Sequence, residues 1–325
     1  MAWYLKIIIP RRFAHEIERY VRSNDFVYLS DLRHWQNAVI LRYLFKYKKS
    51  YSVAAHGQIR IPADWKYPVK VFYDRLWGVR MIRNAAFLVA QTEHEADDYL
   101  RLGARPGQIH LMPLFTAPPE NEEIGQKNKF REKYNIGVDT RLLLFVGRIH
   151  KLKGLNVLMK SLALTKRRLP DKDMRLIIVG MDDGYLNQLN ALIRQLNLTE
   201  SVIQTGPLYG KDNAACYLDS DLFVITPTYY EETSLASVRA LSFGLPVLTV
   251  HQAELPWLDD YKAGVTSECE PQVIADNLTN LLKDDTILRT MRDNAKRLFN
   301  DHYTFKSSIS FLDHEIQKAV SLLQK

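Results

Sequence analysis

The chain has 325 residues, 46% apolar and 25% charged, which is enough to bury the cores of about two domains and excludes a disordered or fibrous protein. Two cysteines, Cys216 and Cys269, without metal-ligand spacing exclude a disulfide framework and a zinc site. The net charge of +7 lies wholly in residues 1–120, where 18 Lys and Arg face 11 Asp and Glu, so the first lobe is expected to meet an anionic partner, either a membrane surface or a phosphorylated substrate.

The opening run, MAWYLKIIIPRR, is too short and carries a lysine, so it predicts neither a signal peptide nor a membrane span. The expected location is the cytoplasm, at the inner face of the membrane if the basic lobe docks there. Strands are predicted at DFVYLS (25–30), SYSVAAHG (50–57), AFLVAQT (86–92) and QIHLMP (108–113), with helices at 34–47, 69–83 and 93–102. Within the second helix, Lys70, Arg75, Arg80 and Arg83 interleave with Phe72, Trp77 and Met81, as in an interfacial helix or in one that packs its apolar stripe on a sheet. Residues 117–130 carry the Pro, Gly and charge of a linker.

From residue 140 the alternation sharpens. RLLLFVG (141–147), MRLIIVG (174–180), SVIQTG (201–206), DLFVITPT (221–228) and LPVLTV (245–250) read as buried strands separated by helix-period segments at 153–168, 184–198, 211–220 and 235–243. Five β-α repeats imply a parallel sheet with helices on both faces. Phe305–Leu323 is helical by period. The expected fold class is therefore α/β, with two doubly wound, Rossmann-like lobes and a ligand cleft between them at the carboxyl ends of the strands.

The loops after those strands carry the candidate chemistry. In GRIHKLKG, Gly147 permits a tight turn, and Arg148 and Lys153 set two cations beside a helix start that already favours an anion. By itself this also reads as an ordinary loop with surface cations. In YYEETSLASVRALSFGLPV (229–247), Glu231 can accept hydrogen bonds from vicinal sugar hydroxyls, while amides at Thr233, Ser234 and Leu235 can receive phosphate oxygens. Phosphate and sugar together describe a nucleotide-sugar. The pairs in GMDDG (180–184) and DSD (219–221) read as a helix cap and a strand start, and no metal site is predicted.

The order of these motifs, FVGR…KG, IIVGMDDG, TGPL, DLFVITPT, Glu231 and ALSFGLPV, resembles the donor-binding domain of family 4 retaining glycosyltransferases of the GT-B fold. AAHG (54–57) and 85–103 resemble the end of that family's acceptor domain. The resemblance implies a partial acceptor-binding lobe at 1–120, a linker at 121–138, a donor domain at 139–302, and a terminal helix, 303–325, that crosses back. It also implies that Arg148 and Lys153 clamp the donor diphosphate, Glu231 holds the sugar, the main chain at Gly206 and Leu208 receives the base, and His56 reaches the sugar. Taken alone, His56 reads as a packed neutral histidine. The co-substrate is expected to be a UDP- or GDP-sugar, with no cofactor, and the acceptor a carbohydrate or a lipid-linked one. No RNP, helix-turn-helix or zinc-finger pattern points to nucleic acid.

The chain departs from the family at Arg239, where a second carboxylate accepts from the ribose. A guanidinium only donates, so Arg239 is expected to donate to a ribose oxygen, add to the phosphate cations, or pair with Glu231 or Glu232. The family's leading strand and glycine-rich loop are also not found, so the acceptor lobe reads as truncated, with a second subunit as one source of the missing units. PLFT (113–116) stands where Pro-Asn-Gly is common. The expected function is sugar transfer with retention; the alternative is a non-catalytic degenerate transferase or one subunit of a split enzyme.

Overall fold

Short β-branched runs become buried parallel strands in two separate sheets, because strands covered on both faces need no polar alternation. The computed structural model describes residues 11–60 and 67–321. The opening run, residues 1–10, and the last part of the terminal helix expected from the sequence, 322–325, lie outside the described residues. The chain divides into one compact unit of Met1–Pro113 with Ser308–Lys325 and a second of Leu114–Ser307.

In the first unit the elements run α1 (Arg11–Ser23), β1 (Phe26–Ser30), α2 (Trp35–Lys46), β2 (Ser50–Ala54), α3 (Tyr67–Tyr73), a π turn (Asp74–Gly78), α4 (Val79–Asn84), β3 (Phe87–Ala90), α5 (Glu93–Arg101) and β4 (Ile109–Leu111). The strands pair in parallel in the order β1-β2-β3-β4. Leu29, Val53, Leu88 and Ala90 bury against Leu41, Met81 and Ile82, whereas Ala54, Phe87 and Val89 turn the other way towards Leu312 and Ile316. This alternation is the period of two expected of a strand.

The second unit carries α6 (Asn121–Ile124), α7 (Lys129–Lys133), β5 (Arg141–Val146), α8 (Leu155–Arg168), β6 (Met174–Val179), α9 (Leu186–Gln195), β7 (Val202–Gly206), α10 (Gly210–Asp219), β8 (Leu222–Val224), α11 (Leu235–Ser242), β9 (Val247–Val250), β10 (Gly264–Ser267), α12 (Pro271–Lys283) and α13 (Asp285–His302). A final helix, α14 (Phe305–Ser321), supplies Leu312 and Ile316 to the first unit. The second sheet is parallel with strand order β10-β9-β8-β5-β6-β7. Leu143 and Phe145 of β5 pack with α8 and α12 through Leu158, Leu162 and Leu278; Leu142 and Leu144 pack on the opposite face with Tyr217, Val238 and Leu298. Each face is thus covered by helices, the doubly wound arrangement expected from the repeats.

The segment expected as a linker, 121–138, instead holds two short helices tied into the second unit. Phe130 is buried and stacks on Tyr134 with ring centroids 4.5 Å apart. The Asp219 carboxylate accepts from the amides of Asn128, Phe130 and Arg131 at 2.5, 2.9 and 3.1 Å, satisfying the start of α7. Pro, Gly and charge mark where the chain turns, but two apolar anchors, Phe130 and Ile136, and a distant cap decide its structure.

Candidate functional site

In the second sheet the strand order reverses between β5 and β8, and an open parallel sheet offers its ligand crevice outside the carboxyl ends of the strands at such a switch point. The loops leaving these two strands are 147–154 and 225–234. They are held together through the backbone, with the Thr228 amide donating to the Leu152 carbonyl at 3.0 Å and the Thr226 hydroxyl donating to the Gly154 carbonyl at 3.1 Å. Gly154 has a φ of +68°, and a Cβ built there would lie 1.6 Å from the Thr226 carbonyl oxygen. Only a residue without a side chain lets the two loops approach this closely.

That approach brings Lys153 against Glu231. The Lys153 ammonium donates to Glu231 Oε1 in a partly buried ion pair that spans the switch point. The Glu231 amide donates to the Gln252 carbonyl at 2.7 Å, which fixes the main chain just past β8. Three residues on, Ser234 caps α11 by accepting from the Ser237 amide at 3.3 Å, and Thr233 is buried beside it while Leu235 is exposed. The amides of the first turn of α11 have no partner within the helix and carry the positive end of its dipole. A cation, an acceptor carboxylate and a helix start therefore adjoin.

Arg148 is exposed and donates to Asp183 at 2.5 Å. The neighbouring Asp182 accepts from the amides of Gly184, Tyr185 and Leu186 at 3.0 to 3.1 Å, so GMDDG is a turn capped by its own carboxylate. Asp219 caps α7, and Asp221 accepts from the Leu142 amide at 2.8 Å while facing Arg131, Arg141 and Arg292. These carboxylates have structural employment. Gly147 donates to the Val179 carbonyl at 2.9 Å, and the Gly206 carbonyl accepts from Gly180 at 3.0 Å, so the ends of β5, β6 and β7 lie side by side. Leu208 follows, half-buried, its carbonyl accepting from Asn213 at 3.2 Å.

Arg239 pairs with neither Glu231 nor Glu232. Its guanidinium pairs with Glu123, donates to the Ala117 carbonyl at 3.1 Å and lies 4.7 Å over the Phe243 ring. Glu231 is already engaged by Lys153, whereas Glu123 is set by its own capping bond from the Glu120 amide at 2.9 Å. Burial works to raise the Glu123 carboxyl, yet the bonds from Arg239 and Glu120 hold it below its ordinary value. Gln252 is a residue that the motifs do not single out: its backbone carbonyl takes the Glu231 amide, and its side-chain Oε1 is a buried acceptor without a partner. Its one sequence signal is its place two residues past the predicted strand LPVLTV.

His56 belongs to the first unit, at the carboxyl end of β2, with a left-handed φ of +51°. Its Nδ1 lies 2.5 Å from the Gln91 amide nitrogen, and the buried Glu95 carboxylate accepts from the amides of Gly57 and Gln91 at 2.6 and 2.8 Å. Burial pushes the His56 imidazole below its ordinary value, with Asp31 opposing, so the ring is neutral near pH 7. Among the described residues no cluster of three or more His, Cys, Asp or Glu is placed to hold a metal ion, and no helix is long and apolar enough to cross a membrane.

Known proteins share both the sequence pattern and the fold. A D-inositol 3-phosphate glycosyltransferase of Xylanimonas cellulosilytica is 32% identical over 210 residues, which cover 61% of this chain and 49% of that protein. The chain spans about half the length of the curated relatives it matches. Among solved structures, Anabaena Alr3699/HepE in complex with UDP superposes with a TM-score of 0.76 at 16% identity, covering 94% of this chain and 82% of HepE. The sucrose-phosphate synthase of Thermosynechococcus elongatus follows at 0.72 and 16%, covering 97% and 81%. At such identity these likenesses establish the shared two-sheet fold, that of the GT-B glycosyltransferases. The family model for glycosyl transferases group 1 matches residues 126–298, just over half of the chain and nearly all of the second unit, and the chain belongs to the group 1 glycosyl transferases.

Proposed function

We propose that the second unit binds a nucleoside-diphosphate sugar and that the protein transfers the sugar, with retention of anomeric configuration, to a carbohydrate or lipid-linked acceptor. The observation that carries the reading is the Lys153–Glu231 pair across the switch point, beside the start of α11. HepE, which shares the fold, has been solved with UDP and with UDP-glucose, which supports a uridine or similar nucleotide donor.

In this reading the diphosphate displaces Glu231 from Lys153. The Lys153 ammonium and the first-turn amides at Ser234 and Leu235 then face the phosphate oxygens, and Arg148 exchanges Asp183 for the same charge. Glu231, released, accepts from hydroxyls of the sugar. As the bond to the anomeric carbon breaks, negative charge grows on the leaving diphosphate, and fixed cations and amide dipoles stabilise it more than they do the ground state. The acceptor's proton passes to a diphosphate oxygen, so the step needs no protein base.

Calorimetric titration with UDP, GDP, ADP and their sugar conjugates tests the donor site. Lys153→Ala is expected to weaken binding of the preferred donor by about 10- to 100-fold, the value of a charge-assisted bond lost from a partly buried site. Tight binding that Lys153→Ala leaves unchanged would overturn the assignment. A second reading, a non-catalytic donor-binding subunit, draws on Arg239, whose charge is spent on Glu123 and leaves no carboxylate at that position for the ribose. Donor binding without sugar transfer to any of a panel of acceptors would favour it.

A further inference from the structure

The helical arm of residues 67–84 has two apolar faces, and the fold uses one. Tyr73, Met81 and Ile82 are buried. Tyr73 and Trp77 meet the edge of Trp35 with ring centroids 5.6 and 5.4 Å apart, and the Tyr73 hydroxyl donates to the His34 carbonyl at 2.8 Å. Arg33 clamps Asp74 through two bonds of 2.9 and 2.6 Å, which pins the π turn. The arm is thus anchored along its length. The sequence places Phe72, Trp77 and Met81 on one stripe; the structure separates them, turning Trp77 and Met81 inward and Phe72 outward.

Phe72 is 57% exposed, and with it at spacings of three and four stand Val69 at 59% and Leu76 at 46%. Packing on the sheet explains the inner face and leaves this outer one without a reason. Its charges are of one sign. The one carboxylate between 67 and 84 is Asp74, which is buried and paired, whereas Arg75, Arg80 and Arg83 are exposed. Arg80 stacks 4.3 Å over Phe45 of α2, and α2 adds an exposed Arg42 to the margin. A helix face made for water would intersperse carboxylates among the cations. An apolar stripe with an all-basic border instead matches the boundary between acyl chains and anionic headgroups, where guanidinium groups reach the phosphates while their stems and the stripe lie in the apolar layer.

We propose that residues 67–84 form a peripheral membrane-binding face that takes an anionic lipid bilayer, with Val69, Phe72 and Leu76 inserted and Arg75, Arg80 and Arg83 against the headgroups. The placement accounts for the confinement of the chain's excess charge to its first 120 residues. It is independent of the donor site, all of whose proposed residues but His56 belong to the second unit.

The test is co-sedimentation of the full chain with vesicles of phosphatidylcholine alone and mixed with phosphatidylglycerol, at low and high salt. Binding is expected to the mixed vesicles only, and to fall as salt rises. Phe72→Ser/Leu76→Ser should weaken it at least about tenfold, and Arg75→Glu about fivefold or more, since each basic group at an anionic surface is worth about that much. These side chains are exposed, so the thermal midpoint should hold; should the serine variant fail to fold, Arg75→Glu carries the test alone. Absence of binding to the mixed vesicles, or binding unchanged in the folded variants, overturns the proposal. So does a dimer, seen by light scattering, that Phe72→Ser/Leu76→Ser dissolves, because a second copy would then cover the face.

Discussion

Arg239 shows how the charge of a side chain can be legible in the sequence while its partner within the protein is not. The sequence shows a donor at 239, but Glu123 lies 116 residues away along the chain, and no periodicity links the two. The pair is mostly buried, so reversing one charge should be costly. Arg239→Glu sets two carboxylates face to face and leaves the Ala117 carbonyl without its donor, and we expect a loss of at least about 2 kcal/mol in urea unfolding. Adding Glu123→Arg should recover about half of that or more, because contacting residues couple. Because the folded Glu123 carboxyl lies below its ordinary value of 4.5, the native pair's contribution is complete above that value and fades as pH falls through the folded one. Equal destabilisation of the single and double variants would show that the ion pair is incidental. Lys153, Glu231 and Ser234, by contrast, are legible as a group because each lies in the loop that follows a strand, where an α/β sheet presents its ligands.

At the scale of elements, the loop geometry at the switch point rests on Gly154. Ala in its place meets both a left-handed φ and the Thr226 carbonyl, so the loops after β5 and β8 would have to part. We expect Gly154→Ala to cost more than about 3 kcal/mol and to weaken donor binding with it. Gly184, with a φ of +85° and nothing within 4 Å of where a methyl group would sit, is the control: Gly184→Ala should cost about 1 to 2 kcal/mol from backbone conformation alone. Similar costs at both positions, by chemical denaturation, would remove the steric argument. The strands of the second unit are mostly readable because they are apolar runs too short for a helix, as in RLLLFV and MRLIIV. β10 is not, since Gly264–Ser267 is GVTS and owes its strand to backbone pairing with β9. α12 buries Leu278 and Leu282, and α13 Ala295 and Phe299, each pair four residues apart, but no β-α repeat frames them in the sequence.

For the whole molecule, the division into two units carries a prediction about which half holds which task. Leu114–Ser307 contains a complete six-stranded sheet with a core on each face, and its first helices are tied back by Asp219 and by the Arg239–Glu123 pair. A unit with its own core and few unsatisfied ends is expected to fold alone. Residues 114–307 expressed by themselves should therefore unfold in a single cooperative urea transition. They should also bind the donor nucleotide within about threefold of the full chain, because a difference under about 0.6 kcal/mol is what remains when every direct contact is kept. Arg148, Lys153, Glu231 and the start of α11 all travel with that fragment, whereas His56 and the basic arm do not. Sugar transfer and vesicle binding should accordingly be absent from it. A folded fragment that has lost donor affinity would overturn the assignment of the donor site to the second unit.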